Sequence, residues 1–247
     1  MNGPALRIHQ LTHRYGSFVA VKALDLEVRR GEILGFLGPN GAGKTTTLRC
    51  CAGLLAAAAG AIEIAGVSLA ADPLGARARL GFVPDRPFFY ERLSAREFLD
   101  FIAAIYDVSP QVAGPRADVL LRRLELEEAA DDLIETYSHG MRQKVSLAAA
   151  LLHEPPLLML DEPLTGLDPI GARTMKDVLR ESAGQGHGVL VSTHLLDVAE
   201  RLCDRVVILH HGEKRAEGSL AELRGAGSSA TLEDVFLAMT RDGVTPA

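Results

Sequence analysis

Gly38-Pro39-Asn40-Gly41-Ala42-Gly43-Lys44-Thr45-Thr46 carries the pattern G-x-x-x-x-G-K-[ST] of a loop that wraps phosphate groups. Its surroundings have the right character. Glu32 to Leu37 is an apolar segment that reads as a buried strand, and Thr46 to Gly53 reads as a helix closed by glycine. A triphosphate needs many donors close together. Gly38, Gly41 and Gly43 let the backbone curl so that its N–H groups point inward, and the helix start adds its dipole. Lys44 supplies a point charge for the terminal phosphates, and the Thr45 hydroxyl is a candidate Mg²⁺ ligand. The loop implies a nucleoside triphosphate and leaves open what its hydrolysis drives.

Leu157-Leu158-Met159-Leu160-Asp161-Glu162 is an apolar strand that ends in two acids. Carboxylates at the C-terminal end of a buried strand face the crevice where ligands bind in an open sheet. Asp161 is thus a candidate for the Mg²⁺ shell, and Glu162 a candidate general base for an attacking water. Tyr137-Ser138-His139-Gly140-Met141-Arg142-Gln143-Lys144 precedes a helical run, Val145 to His153. Taken alone, Ser138 and the N–H groups after it read as an ordinary helix cap; their position between the glycine loop and the acidic strand makes them a candidate second helix-start anion site.

Composition sets bounds on these readings. With 247 residues, 47% of them hydrophobic, the chain can bury a full core as one large domain or two lobes. Lys plus Arg number 26 against 32 Asp plus Glu, a formal charge of −6, so no nucleic-acid partner is expected. No apolar run reaches the ~20 residues that span a bilayer. Met1 to Leu6 lacks the regions of a secretion signal, so a soluble, cytoplasmic protein is expected. Cys50, Cys51 and Cys203 lack metal-type spacing and read as small reduced core residues.

The expected fold class is α/β. Residues 5–30 alternate as strand material, Ala61 to Gly66 is a short strand with a turn, and together they suggest a flanking antiparallel sheet, about 5–30 and 60–70. Leu80 to Pro84 is another strand. A helical insert, about 88–153, opens at the capping box Ser94-Ala95-Arg96-Glu97 and continues with Phe98, Phe101, Ile102 and Ile105, then Val119 to Leu124 beyond Pro110 and Pro115. Strands and helices alternate from Leu157 to Leu209, which implies a mostly parallel sheet. The run Ala56 to Ala59 reads as a helix end. Residues 1–224 form the main domain; 225–247 form a linker and a last helix, with a flexible joint at Gly225 to Ser229 and Thr231 capping Leu232 to Met239.

In order along the chain, these motifs resemble those of the ATP-binding subunits of ATP-binding-cassette (ABC) transporters, and the likeness covers nearly the whole length. Tyr15, in Arg14-Tyr15-Gly16, is similar to the aromatic that stacks on adenine; Gly38 to Thr46 to the first phosphate motif; Tyr137 to Met141 to the signature motif; Asp161 and Glu162 to the second acidic motif; Gly166-Leu167-Asp168 to the loop along the dimer seam; Ser192-Thr193-His194 to the switch histidine. The resemblance implies a P-loop NTPase core with a flanking antiparallel β part and an inserted helical part. It implies a second ATP-binding subunit of the same kind, closing head to tail so that Ser138 and Gly140 reach the γ-phosphate of the partner's ATP. It makes Glu162, His194 and Lys44 catalytic, and Thr45, Asp161 and Asp85 the Mg²⁺ side.

The same likeness implies a multi-span membrane permease docking on Asp85 to Tyr90, and a location on the cytoplasmic face of the inner membrane. The aromatic cluster Pro87-Phe88-Phe89-Tyr90 reads equally as that docking patch and as packing within the helical lobe. The signature form and the tail Thr231 to Phe236 resemble exporter subunits. The alternatives are a soluble ABC-type ATPase outside transport and a low-turnover ATP-binding module. Two departures from the family pattern stand out. Asp85 occupies a place where glutamine is usual, and its added charge beside Glu162 raises one carboxylate's pKa. His139 and Met141 replace glycine and glutamine in the signature.

Overall fold

A computed structural model describes residues 3–225 and 231–240. Met1 and Asn2, and all of the expected joint beyond Gly225, lie outside the described residues.

Apolar alternation buries one face of a hairpin. β1 (Leu6–Tyr15) and β2 (Phe18–Val28) pair antiparallel, from Tyr15↔Phe18 at the turn to Leu6↔Val28. β3 (Ile33–Leu37) leads into the glycine loop and α1 (Lys44–Cys51). β4 (Ala59–Ile64) returns antiparallel to β1, and β5 (Val67–Ser68) completes a sheet of order β2-β1-β4-β5. The alanine run is therefore not a helix end. Helix α1 stops at Cys51, the Ala56 carbonyl accepts from His13, and the Ala58 N–H donates to Thr12 O, so the run leads into β4 along β1.

A short helix that the sequence pattern does not announce, α2 (Pro73–Arg77, capped by Asp72), precedes β6 (Leu80–Val83). The helical lobe then begins at the expected Ser94/Glu97 capping box with α3 (Ala95–Ile105). α4 (Pro110–Arg123) starts with one proline and runs through another, Pro115, so it is longer than the stretch Val119 to Leu124. α5 (His139–Leu151) starts at Ser138, well before Val145. From there β7 (Leu157–Asp161), α6 (Pro169–Gly184), β8 (Gly188–Thr193), α7 (Leu196–Leu202) and β9 (Arg205–His210) alternate as expected. β10 (Glu213–Ser219), α8 (Leu220–Arg224) and α9 (Leu232–Thr240) follow. Thr231 Oγ1 accepts from the Asp234 N–H at 3.2 Å and caps the last helix.

The central sheet has the order β10-β9-β3-β8-β7-β6 and is parallel except for β10, which pairs antiparallel with β9. The sheet is buried on both faces. Ile33 and Leu37, Leu158 and Leu160, and Val189 and Val191 point into the core beneath the helices. Leu34, Phe36, Leu157, Met159 and Leu190 point into the core shared with the antiparallel sheet. Strands buried on both faces read as continuous apolar runs, as these do. Register brings the chemistry together. Leu37 lies beside Thr193 and Asp161 beside Ser192, so the glycine loop, the two acids and the segment Thr193-His194 leave the sheet at one edge.

Candidate functional site

The loop after β3 is clasped from two sides. A Cβ on Gly38 would fall well inside the van der Waals radius of the Leu209 carbonyl, so no side chain fits there. Gly43 has φ 107°, a conformation that L residues rarely adopt, and a Cβ there would lie 2.5 Å from Ala20 O. The Gly212 N–H donates to Ala42 O (2.9 Å) and the Lys22 N–H to Gly212 O (2.8 Å), locking the loop between β2 and the β9–β10 turn. Lys44 folds back along it. Its Nζ donates to Gly38 O (2.7 Å) and Pro39 O (3.2 Å) and lies 4.0 Å from Glu162 Oε1. Burial pulls the Lys44 pKa below its ordinary value, while the negative charges of Glu162 and Asp161 push it back.

Asp161 is 2% exposed, and its Oδ1 is buried with no hydrogen-bond partner among the described residues. Burial raises its carboxyl pKa, the hydroxyls of Thr45 and Ser192 oppose the rise, and the carboxylates of Glu162 and Asp85 add to it. The charge introduced by Asp85 is thus felt at Asp161. Glu162 has left-handed backbone, φ 51°, uncommon for a residue with a side chain. Its N–H donates to Ser192 O (2.9 Å), Thr193 Oγ1 donates to Oε2 (3.2 Å), and His194 Nδ1 lies 2.9 Å from Oε1. Thr193 and His194 therefore aim the carboxylate, while Ser192 holds the backbone beneath it. The Thr45 hydroxyl and the orphaned Asp161 oxygen are hard oxygen donors of the kind Mg²⁺ takes alongside phosphate oxygens, so these residues fit that ion.

A cleft of about 410 Å³ brings together Tyr15, the loop from Asn40 to Thr46, Asp85, Glu162 and His194. Gly38 and Pro39 contribute the carbonyls that hold Lys44. Phe18, Ala20 and Thr165 also line the cleft and were not singled out from sequence; the signal for Phe18 is its register opposite Tyr15 across the Gly16 turn. Thr193 is a further partner of Glu162 that only geometry reveals. Ser138, Gly140 and Asp168 do not line this cleft. Ser138 caps α5, accepting from Met141 N (3.3 Å), and Asp168 caps α6, accepting from Gly171 N (2.6 Å). His139 is an ordinary first residue of α5 with no left-handed backbone, so the helix start tolerates its side chain. Beside it, Tyr137 is buried and its hydroxyl donates to Ala129 O.

The aromatic cluster divides between its two readings. Phe89 is buried edge-on against Phe98, with centroids 5.1 Å apart. Phe88 is 82% exposed, and Tyr90 and Phe101 are exposed too, stacked edge to face along one surface. The three cysteines are buried and free, and burial raises the thiol of Cys50 to about 11 and that of Cys203 to about 12.

The sequence pattern of the ABC transporter family matches residues 21–165. The chain belongs to that family. It is an ATP-binding subunit of an ABC transporter. This ABC subunit is 37% identical over 239 residues to the ABC-type transporter ATP-binding protein EcsA of Bacillus subtilis (strain 168), covering 96% of this chain and 97% of that one. It is 38% identical over 224 residues to the daunorubicin resistance ATP-binding protein DrrA3 of Streptomyces coeruleorubidus, covering 91% and 71%. A solved ATP-binding subunit of an ABC transporter superimposes with a TM-score of 0.91 at 36% identity, over 96% of this chain and all of that one. The expected P-loop α/β fold is thus the fold of its relatives. No helix among the described residues is long and apolar enough to cross a membrane.

Proposed function

We propose that this ABC subunit hydrolyses Mg·ATP and that closure of a head-to-tail pair of such subunits drives a separate multi-span permease, of the export type, from the cytoplasmic face of the inner membrane. One observation carries the reading. The glycine loop lines the cleft, whereas the Ser138 helix start, the other candidate anion site, lies outside it. A second copy turned head to tail would bring its Ser138 and Gly140 to this cleft, and the Asp168 loop to the seam. ATP then favours the closed pair through contacts that the open state lacks.

Within the cleft the roles follow from chemistry. Tyr15 offers a ring face to the adenine, with Phe18 beside it. The N–H groups between Gly38 and Thr46 and the Lys44 ammonium bind the phosphates. Mg²⁺, held by Thr45 and Asp161 with Asp85 at the rim, would neutralise charge on the phosphate oxygens. Glu162 accepts the proton of the attacking water, and Thr193 and His194 keep its carboxylate aimed. His194 also presents its ring to the γ-phosphate side. The name of DrrA3, a drug-resistance protein, supports the export assignment. The exposed Phe88, Tyr90 and Phe101, around a hollow of about 760 Å³, support docking of an apolar permease segment beside Asp85 to Tyr90.

The test is phosphate release by the native chain and by Glu162→Gln, with light scattering of the variant in Mg·ATP. Turnover lost in the variant, with a trapped dimer, is the expected result. A variant that binds ATP and stays monomeric would sink the closure reading. A native chain without turnover would instead favour a low-turnover ATP-binding module, for which the charge of Asp85 near Asp161 is the motivating observation. Capture of a multi-span membrane protein with the native chain separates transport from a soluble role.

A further inference from the structure

We infer that His139 is a positioning residue that couples the two nucleotide sites. It docks the start of α5 onto the loop between β7 and α6, so that the half-site offered to the partner and one wall of this chain's own cleft move together. The inference rests on the head-to-tail reading above.

His139 Nε2 lies 3.2 Å from Thr165 O. A carbonyl only accepts, so Nε2 carries the proton and donates. Thr165 is a wall of the ATP cleft. Its neighbour Gly166 has φ 75°, and a Cβ there would come 3.1 Å from His139 Cδ2, so the ring lies where a side chain at 166 would stand. One residue on, Gly140 faces Leu167 closely enough that a Cβ on it would lie 3.2 Å from Leu167 Cδ2. Two successive residues at the α5 start thus engage three successive residues of the loop.

The loop's own bonds run inward, from Thr165 N to Glu162 O (3.2 Å) and from Leu167 N to Leu164 O (3.4 Å). They shape the loop without fixing it to the helical lobe. His139 adds a directional hydrogen bond to the packing of Leu164 and Leu167 against the core, with Ser138 immediately before it and Glu162 three residues before Thr165. A displacement of α5 on meeting the partner's ATP is thereby passed to the loop that follows this chain's candidate base. A glycine at 139 would leave Thr165 O without this donor.

The test uses three full-length chains in a Glu162→Gln background: His139 intact, His139→Phe and His139→Gln. Phe keeps a ring against Gly166 but has no donor, whereas Gln keeps a donor of similar reach. The ATP concentration for half-maximal dimer formation and its Hill coefficient are read by light scattering. Mg·ADP affinity of the dilute single chain is read by titration. One modest hydrogen bond corresponds to about a two- to tenfold change. The expected result is a dimer midpoint raised by about that factor and a lower Hill coefficient for His139→Phe, recovery by His139→Gln, and unchanged ADP affinity throughout. His139→Phe matching the intact chain overturns the inference, as does equal loss in both variants or a parallel loss of ADP affinity. An intact-His139 chain that binds ATP but never dimerises overturns the head-to-tail reading itself, and the inference with it.

Discussion

Replacing His153 with phenylalanine should flatten the dependence of stability on pH between about 4 and 6.5. His153 follows α5, and its ring is stacked on Tyr106 with centroids 3.8 Å apart and planes 15° from parallel. Its Nε2 lies 3.2 Å from Leu80 O and so donates, while Nδ1 is buried without a partner among the described residues. Burial pulls its pKa down from 6.5 to about 4, and the Leu80 carbonyl opposes this only in part. The folded value is the lower one. Between the two values the unfolded chain holds the extra proton, so stability is lost as pH falls through that window and levels off below about 4. A gap of about 2.5 units corresponds to at most ~3.4 kcal/mol, and partial solvation of the ring brings the expected loss to about 2 kcal/mol. Phenylalanine keeps the stack but leaves Leu80 O without its donor, which costs about 1 kcal/mol at pH 7. The variant should start less stable and overtake the native chain near pH 5–6 (approximately). Urea denaturation of both proteins at pH 7, 6, 5 and 4.5 measures this. Parallel curves across that range would refute the assignment of a buried neutral histidine.

Gly38→Ala should abolish ATP binding, because the new methyl meets the Leu209 carbonyl; a titration giving an affinity within threefold of native would contradict the clasped loop. Glu162→Gln should slow phosphate release at least ~100-fold while keeping ATP bound. In the same assay Thr193→Val, which removes one aiming bond, should fall between that variant and the native chain. Tyr15→Ala should weaken ATP about tenfold and leave tripolyphosphate binding unchanged, since a stacked base contributes about 1–3 kcal/mol. Phe88→Ser with Tyr90→Ser should leave folding stability within about 0.5 kcal/mol and ATP hydrolysis unchanged, yet reduce capture of the permease; equal capture would remove the aromatic surface from the docking site.

What the residues announce and what they conceal divide along physical lines. The glycine loop is local: its spacing, the strand before it and the helix after it are all dictated within 38–46 and its flanks. β7 and its two acids are equally legible, because a strand buried on both faces must be apolar throughout. β10 is not. Its sequence, Glu213-Lys214-Arg215-Ala216-Glu217-Gly218-Ser219, has no apolar alternation, and it is a strand because β9 offers it a ladder and Arg205 and Lys214 pair with Glu217. Likewise Pro115 reads as a break, but it lies inside α4, where Ala113, Ala117 and Leu121 hold the helix in the core around it. The cleft wall formed by Phe18 and Thr165 depends on how two sheets and a loop meet, which no local pattern encodes.

The clasp on the glycine loop has a consequence for how the chain is made. Ala20 and Lys22 leave the ribosome well before Leu209 and Gly212, which lie almost two hundred residues further along. Until both have docked, Gly38 and Ala42 lack their lid and their tether. A nascent or prematurely terminated polypeptide that stops before Gly212 is therefore expected to hold nucleotide poorly. Cellular ATP stabilises whatever binds it, so it rewards finished copies and leaves fragments to proteolysis.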